Sequence, residues 1–163
     1  CTALALRELG TIDLHGGGCD LIYPHHEFTH AQLSLLVDGP AVGHWMHQAC
    51  VHLDGEPMSK STGNLVFVRD LLDAYDPMAV RLAVLSQHYR TQEWAWTDAL
   101  VAEATDRLEL WRGSGAGSGP IDDVRAALDN DLDAPAALAV IDEAARSGRG
   151  VADSAALLGV AIS

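Results

Sequence analysis

Two short stretches of this chain carry residues whose types and spacing could do chemistry. Residues 13–27 read DLHGGGCDLIYPHHE. Three consecutive glycines, Gly16, Gly17 and Gly18, remove every Cβ from a short segment, so backbone N–H groups there can approach a nucleotide closely. Asp20 follows, and its carboxylate can accept two ribose hydroxyl protons. Two histidines, His25 and His26, follow Pro24. The second stretch, residues 57–64, reads PMSKSTGN and sets Lys60 between Ser59 and Ser61. A lysine on a loop can follow phosphate charge, and flanking hydroxyls can donate to the same oxygens. Taken singly, each feature also has an inert reading. Gly-Gly-Gly can be a tight turn beside a surface histidine pair, and Lys60 can be a solvated surface lysine.

The elements that must position these residues can be read in chain order. Residues 2–9 are rich in Ala and Leu and run into Gly10, which predicts a short helix with a glycine stop. Residues 12–14 predict a brief strand feeding a glycine turn. From Pro24 or His25 to Val37 the pattern predicts a helix with Phe28, Ala31, Leu35 and Leu36 on one side, ended by Gly39 and Pro40. Residues 44–53 alternate at period two, with Trp45, His47, Ala49, Val51 and Leu53 on one face, which predicts a strand. Asp54–Gly55 is a turn signal, and the PMSKS loop hangs from that strand's end. In open α/β sheets ligands sit at the carboxyl ends of strands, so the placement suits a nucleotide site.

Beyond Asn64 the chain reads as helical. A short helix is expected over 68–75. Asp76 then looks like an N-cap with Pro77 at N1, opening a helix through Val80, Val84 and Gln87. Thr97 is expected to cap the next helix, whose Leu100, Val101, Ala104, Leu108 and Trp111 form a core stripe. Residues 113–119, GSGAGSG, read as a flexible linker. Weaker Ala-rich helices follow over 122–128, 133–145 and 152–160. Three segments result: residues 1–56 as the nucleotide-binding part, 57–76 as loop and connector, and 77–163 as a helical bundle.

Composition narrows the function classes. With 48% apolar and 20% charged residues, the 163-residue chain is ordinary for a globular protein. No apolar run approaches a membrane span and nothing near the start resembles a signal peptide, so no membrane partner is expected. Three cysteines, Cys1, Cys19 and Cys50, are widely spaced and odd in number, which fits a reducing, cytoplasmic location better than a disulfide framework. Ten Lys and Arg stand against twenty-three Asp and Glu, giving a net charge of −13. A surface like that repels polyanions and argues against tRNA as a partner.

Together the two stretches resemble the catalytic core of class I aminoacyl-tRNA synthetases, in the cysteine-activating branch that holds cysteinyl-tRNA synthetases and mycothiol ligases. That branch carries a GGGSD segment leading to PHHE, and a KMSKS loop followed by GN. The match runs over Gly16 to Asp20, Pro24 to Glu27 and Met58 to Asn64. It departs at Cys19, where serine is usual, and at Pro57, where the first lysine of KMSKS is usual. Proline supplies no cation and stiffens the loop entry, which implies slower adenylation. The resemblance implies an α/β fold: the second half of a Rossmann-like synthetase catalytic domain, followed by an α-helical bundle. Residues resembling Cys1 lie past the middle of that domain, so the first half and its HIGH-like motif are expected upstream, and the chain alone is expected to be inactive.

The resemblance further implies roles for single residues. Gly18, Cys19 and Asp20 match the segment that contacts the adenylate, and Val51 matches a backbone position that meets adenine. Met58, Ser59, Lys60 and Ser61 match the ATP loop, with Lys60 as the catalytic group and Mg2+ accompanying ATP. Cys1 and His25 match two zinc ligands, and the third is a cysteine expected upstream. A soft sulfur-accepting position on Zn2+ would select the substrate cysteine over serine. His26 and Glu27 are expected to support this arrangement, while His15, His44 and His52 have no assigned role.

Within the branch, cysteinyl-tRNA synthetases continue HHE with Asn-Glu, and that glutamate is a fourth zinc ligand. Here HHE continues as Phe28-Thr29, and Thr29 cannot replace a carboxylate. GNLVFV at residues 63–68 and EWAWTD at residues 93–98 also resemble mycothiol ligases. The implied reaction joins L-cysteine to the amine of glucosaminyl-inositol through cysteinyl-adenylate. Cysteinyl-tRNA synthetase is the alternative activity, and a non-catalytic binding module is the alternative of another class.

Overall fold

A computed structural model describes residues 2–162. The chain divides into two compact units, with the boundary between Cys50 and Val51. Cys1 lies outside the described residues, so its expected role as a ligand has no structural account here.

The first unit opens with α1, Thr2–Leu9, and Gly10 ends it at φ +68°, a left-handed conformation that favours glycine. Strand β1, Ile12–Gly18, pairs in parallel with β2, Val42–Gln48. The expected glycine turn is instead strand. Gly16, Gly17 and Gly18 pair with Met46, His47 and Gln48, because β2 offers a parallel partner along the whole run. Past β1 come a 3₁₀ turn, Cys19–Leu21, and a kinked segment, Ile22–His26, in which Tyr23 is extended, leading into α2, Glu27–Ser34.

Helix α2 is shorter than expected and buries a different face. His26, Thr29 and Leu33 are buried, whereas Phe28, Leu35 and Leu36 are exposed. The reason is tertiary. Leu33 packs with Ala41 and Val42, joined by Leu6, Ile12, Val37 and Trp45, so the side of α2 that meets this cluster points inward. Leu35 and Leu36 fall beyond the last helical turn.

The single strand expected over 44–53 breaks after Gln48, and β3, Val51–Leu53, belongs to the second unit. There β3 pairs antiparallel with β4, Glu56–Pro57, and parallel with β5, Trp94–Ala95, giving the order β4-β3-β5. Asp54 and Gly55 both have positive φ, as expected of a two-residue hairpin turn.

Helices follow: α3 Val68–Leu72, α4 Pro77–Leu85, α5 Asp98–Ser114, α6 Ile121–Asp129, α7 Ala134–Arg146 and α8 Ala152–Leu157. Asp76 caps α4 by accepting from the Met78 amide at 2.8 Å. Asp133 caps α7 in the same way through the Ala136 amide. Thr97 stands at the N-cap of α5, but its side chain makes no capping hydrogen bond. The α5 stripe Val101, Ala104, Leu108 and Trp111 is fully buried among α4, α6 and α7 residues such as Leu82, Val124, Leu138 and Ile141. A buried carboxylate in that core, Asp142, is satisfied. It accepts from Trp111 Nε1 at 2.8 Å and from Arg107 Nε at 3.1 Å.

Residues 113–119 do not form an untethered linker. Gly113 and Ser114 complete α5, and the loop beyond is tied to the start of α8. Val151 and Asp153 amides donate to the Gly115 and Gly117 carbonyls, and Ser118 Oγ donates to Asp153. Gly150 lies so close to the Ala116 carbonyl that a Cβ would overlap it. Among the described residues no helix is long and apolar enough to cross a membrane.

Candidate functional site

In the first unit the candidate residues gather at the carboxyl ends of β1 and β2. Cys19 and Asp20 follow β1 directly, so their position comes from the parallel register of Gly18 with Gln48. The glycines act by leaving space for side chains. A Cβ on Gly18 would overlap the Asp20 carboxylate, and a Cβ on Gly17 would lie 2.7 Å from His26 Cε1. The Asp20 carboxylate, exposed at the strand end, is therefore seated against glycine, with no hydrogen bond among the described residues.

Beside it lies an aromatic group that the sequence reading left almost without role. His26 is 4% exposed, and its Nδ1 is 2.7 Å from His47 Nε2. His15 stacks on Trp45 with ring centroids 4.7 Å apart, and His26 meets both rings at an angle. Burial holds the His26 pKa below its ordinary value, and the neighbouring His15, His47 and His25 push it the same way. A neutral His26 pairs naturally with His47, one ring nitrogen donating and the other accepting. The rings of His26, His47 and Trp45, with Ile22, Glu27 and His30, line a cavity of about 380 Å³. The period-two pattern placed Trp45 and His47 on one face; that His26 packs there needed the fold.

His25 is exposed, with its ring 5.5 Å from that of His26. It makes no hydrogen bond among the described residues, which leaves ring nitrogens open to a metal. Among those residues no group of three metal-ligating side chains includes it. Thr29 is buried on α2.

In the second unit, the loop after β4 is built around Ser59. The Met58 amide donates to the Val51 carbonyl, which anchors the loop to β3. Val51 itself is half-buried and pairs with Trp94. Ser59 Oγ lies 2.7 Å from Thr62 Oγ1 and 3.1 Å from Ser61 Oγ, and it accepts from the Thr62 amide. The Gly63 amide closes back on the Ser59 carbonyl, with Gly63 at φ +74°. Asn64 brackets the whole turn, accepting from the Ser59 amide at 2.9 Å and donating to the Pro57 carbonyl at 3.2 Å. Lys60 projects from this knot, exposed and without an ion pair among the described residues. Asn64 was part of the matched stretch, but neither it nor Thr62 had an assigned role. The Gly-Asn pair after the serines was the available signal.

Parallel strands ending in a glycine segment in the first unit, and a serine-rich lysine loop after a hairpin in the second, are the features on which the resemblance to class I synthetases rests. Solved structures agree on the fold. A LeuRS–tRNA–LeuAMS ternary complex of Agrobacterium radiobacter K84 matches with a TM-score of 0.57 at 18% identity, over 93% of this chain and 25% of that one. Methionyl-tRNA synthetase of Mycobacterium tuberculosis, in complex with methionyl-adenylate, matches with a TM-score of 0.57 at 20% identity, over 83% of this chain and 33% of that one.

The model of the tRNA synthetases class I (C) catalytic domain matches residues 1–106, and the chain belongs to that family. Among curated relatives, an L-cysteine:1D-myo-inositol 2-amino-2-deoxy-alpha-D-glucopyranoside ligase of Kribbella flavida is 48% identical over 99% of this chain. The ligase of the same name from Thermobifida fusca is 50% identical over 92% of it. The chain spans 42% and 39% of the length of these two relatives.

Proposed function

We propose that the protein joins L-cysteine to the amine of glucosaminyl-inositol, using ATP, in mycothiol biosynthesis. The observation that carries this reading is the 48–50% identity to ligases of that name across nearly the whole chain. In the first step the cysteine carboxylate attacks the α-phosphorus of ATP, which is brought in with Mg2+, and pyrophosphate leaves. In the second the sugar amine attacks the acyl carbon of cysteinyl-adenylate, forming an amide and releasing AMP. Positioning supplies most of the rate in such a sequence, so no dedicated acid or base is required.

Gly18, Cys19 and Asp20 receive the adenylate, with the Asp20 carboxylate on the ribose hydroxyls. Val51 lies along the adenine through its backbone. Met58 seats the loop, and Ser59, Lys60 and Ser61 act on the phosphates, where Lys60 stabilises charge that grows in the transition state. His25 and Cys1 hold Zn2+ with a third ligand from elsewhere in the protein. The metal supplies a soft site for the substrate thiolate. The His25 ring, exposed and without a hydrogen bond among the described residues, is compatible with that role.

A second reading, cysteinyl-tRNA synthetase, is favoured by the family description itself. The −13 charge and the burial of Thr29 where that enzyme carries a glutamate ligand weigh against it. Radiolabelled cysteine and ATP, offered with glucosaminyl-inositol or cysteine tRNA in parallel, separate the two. Label is expected on the sugar; label on tRNA with none on the sugar would transfer the assignment to the synthetase.

A further inference from the structure

Cys19 Sγ and Cys50 Sγ lie 3.4 Å apart. The parallel register produces this proximity. Gly18 pairs with Gln48, so Cys19 is the first residue past β1 and Cys50 the second past β2, at the same end of the ladder. Both side chains are half-buried, reachable by a small solute. A disulfide requires sulfurs about 2.05 Å apart, roughly 1.4 Å closer than these thiols stand. A side-chain rotation with slight movement of the 3₁₀ turn at Cys19–Leu21 covers that difference.

We propose that Cys19 and Cys50 form a reversible disulfide when the protein meets a hydroperoxide. One thiolate attacks the peroxide O–O bond and becomes a sulfenic acid, and the oxygen leaves as water. The second thiol attacks the sulfenic sulfur, the S–S bond forms and a second water departs. Two thiols and one hydrogen peroxide thus give one disulfide and two waters, with two electrons passing from sulfur to peroxide. A small thiol reverses the bond by exchange. In a reducing compartment such a bond is transient and serves sensing rather than stability. A serine at position 19 could not take part, so the substitution of cysteine there confers this chemistry.

The consequence for activity rests on the proposed reading of residues 18–20 as the adenylate segment. Drawing Cys19 toward the end of β2 rotates the 3₁₀ turn and moves the Asp20 carboxylate off its seat at Gly18. Oxidised protein is then expected to bind ATP at least tenfold more weakly than reduced protein.

The test treats the full-length protein with hydrogen peroxide, alkylates the remaining thiols, digests it and maps the peptides by mass spectrometry. A Cys19–Cys50 linked peptide as the major product, lost on adding dithiothreitol, is expected. Cys50→Ser should yield no such peptide and should keep its ATP affinity through peroxide treatment. Quantitative alkylation of both cysteines after peroxide, or linkage to Cys1 or to a second molecule instead, would overturn the disulfide. A linked peptide with unchanged ATP affinity would overturn the switch. Failure of the reduced protein to bind ATP would instead sink the nucleotide reading, and the peptide map would still decide the disulfide.

Discussion

Gly17→Ala tests whether the glycine segment exists to admit His26. An added Cβ at position 17 would stand 2.7 Å from His26 Cε1 and 3.1 Å from Nε2. Carbon pairs pack at about 3.5–4.0 Å, so the ring must retreat by roughly 1 Å. Any retreat toward the adjoining cavity breaks its contacts, since the ring is 4% exposed, held to His47 at 2.7 Å and flanked by His15 and Trp45. Leu21 Cδ1, also 3.1 Å away, sits on an exposed side chain that can swing aside. Overpacking costs about 1–3 kcal/mol, and weakening the imidazole pair adds about 0.5–1.5 kcal/mol. A net loss of about 2 kcal/mol is expected, roughly thirtyfold in the equilibrium for opening the first unit.

Amide hydrogen exchange along the β1–β2 ladder reads this locally, as a fall in protection of that size. The sign is informative, because an alanine that fits stabilises by about 0.4–1 kcal/mol through the unfolded chain. His26→Ala provides the control. Removing the ring should make Gly17→Ala close to neutral, so the two changes couple by about 2 kcal/mol. Undiminished protection in Gly17→Ala, or an equal loss in both backgrounds, would refute the steric argument.

Three further outcomes are expected. Lys60→Ala in the full-length protein should slow ATP–pyrophosphate exchange by two to three orders of magnitude, about 3–4 kcal/mol, while zinc content stays unchanged; His25→Ala should do the reverse, losing zinc and the preference for cysteine over serine. Asn64→Ala removes the bracket around Ser59 and should lower exchange about tenfold, the worth of one net hydrogen bond, with an unchanged circular dichroism spectrum. Asp76→Ala should cost about 1–2 kcal/mol in thermal unfolding, from the lost cap on α4 and the Arg112 pair. The Met78 amide first, then Arg112, holds the Asp76 carboxyl below its usual range. Its contribution is therefore complete above the ordinary aspartate pKa of about 3.9 and is lost as pH falls through the lower folded value. The variant's acid limb should be correspondingly flatter in melting temperatures taken from pH 7 to pH 2.

What the amino-acid order determined alone was mostly local. Asp76-Pro77 opens a helix because a carboxylate caps the first amides and proline lacks the hydrogen bond a helix start does not need. Asp54-Gly55 turns because both positions tolerate positive φ. The stripe from Val101 to Trp111 was legible because a 3.6-residue period places those side chains on one line. The family was legible too, since GGG-x-D, PHHE and MSKS-x-GN are contiguous strings.

Contacts between distant segments were decided only by tertiary structure. Glycines that look like a turn became strand because β2 ran alongside them, and pairing with another segment leaves no trace in the glycines themselves. The inward face of α2 was chosen by Ala41 and Val42, so periodicity within α2 could not identify it. The GSGAGSG composition promised freedom, yet the Gly115 and Gly117 carbonyls from that loop meet the Val151 and Asp153 amides. The His26–His47 pair and the adjacent thiols of Cys19 and Cys50 likewise join residues far apart in the chain. Single-segment patterns report what neighbours in sequence share, whereas a site assembled at strand ends depends on register, which exists only between strands.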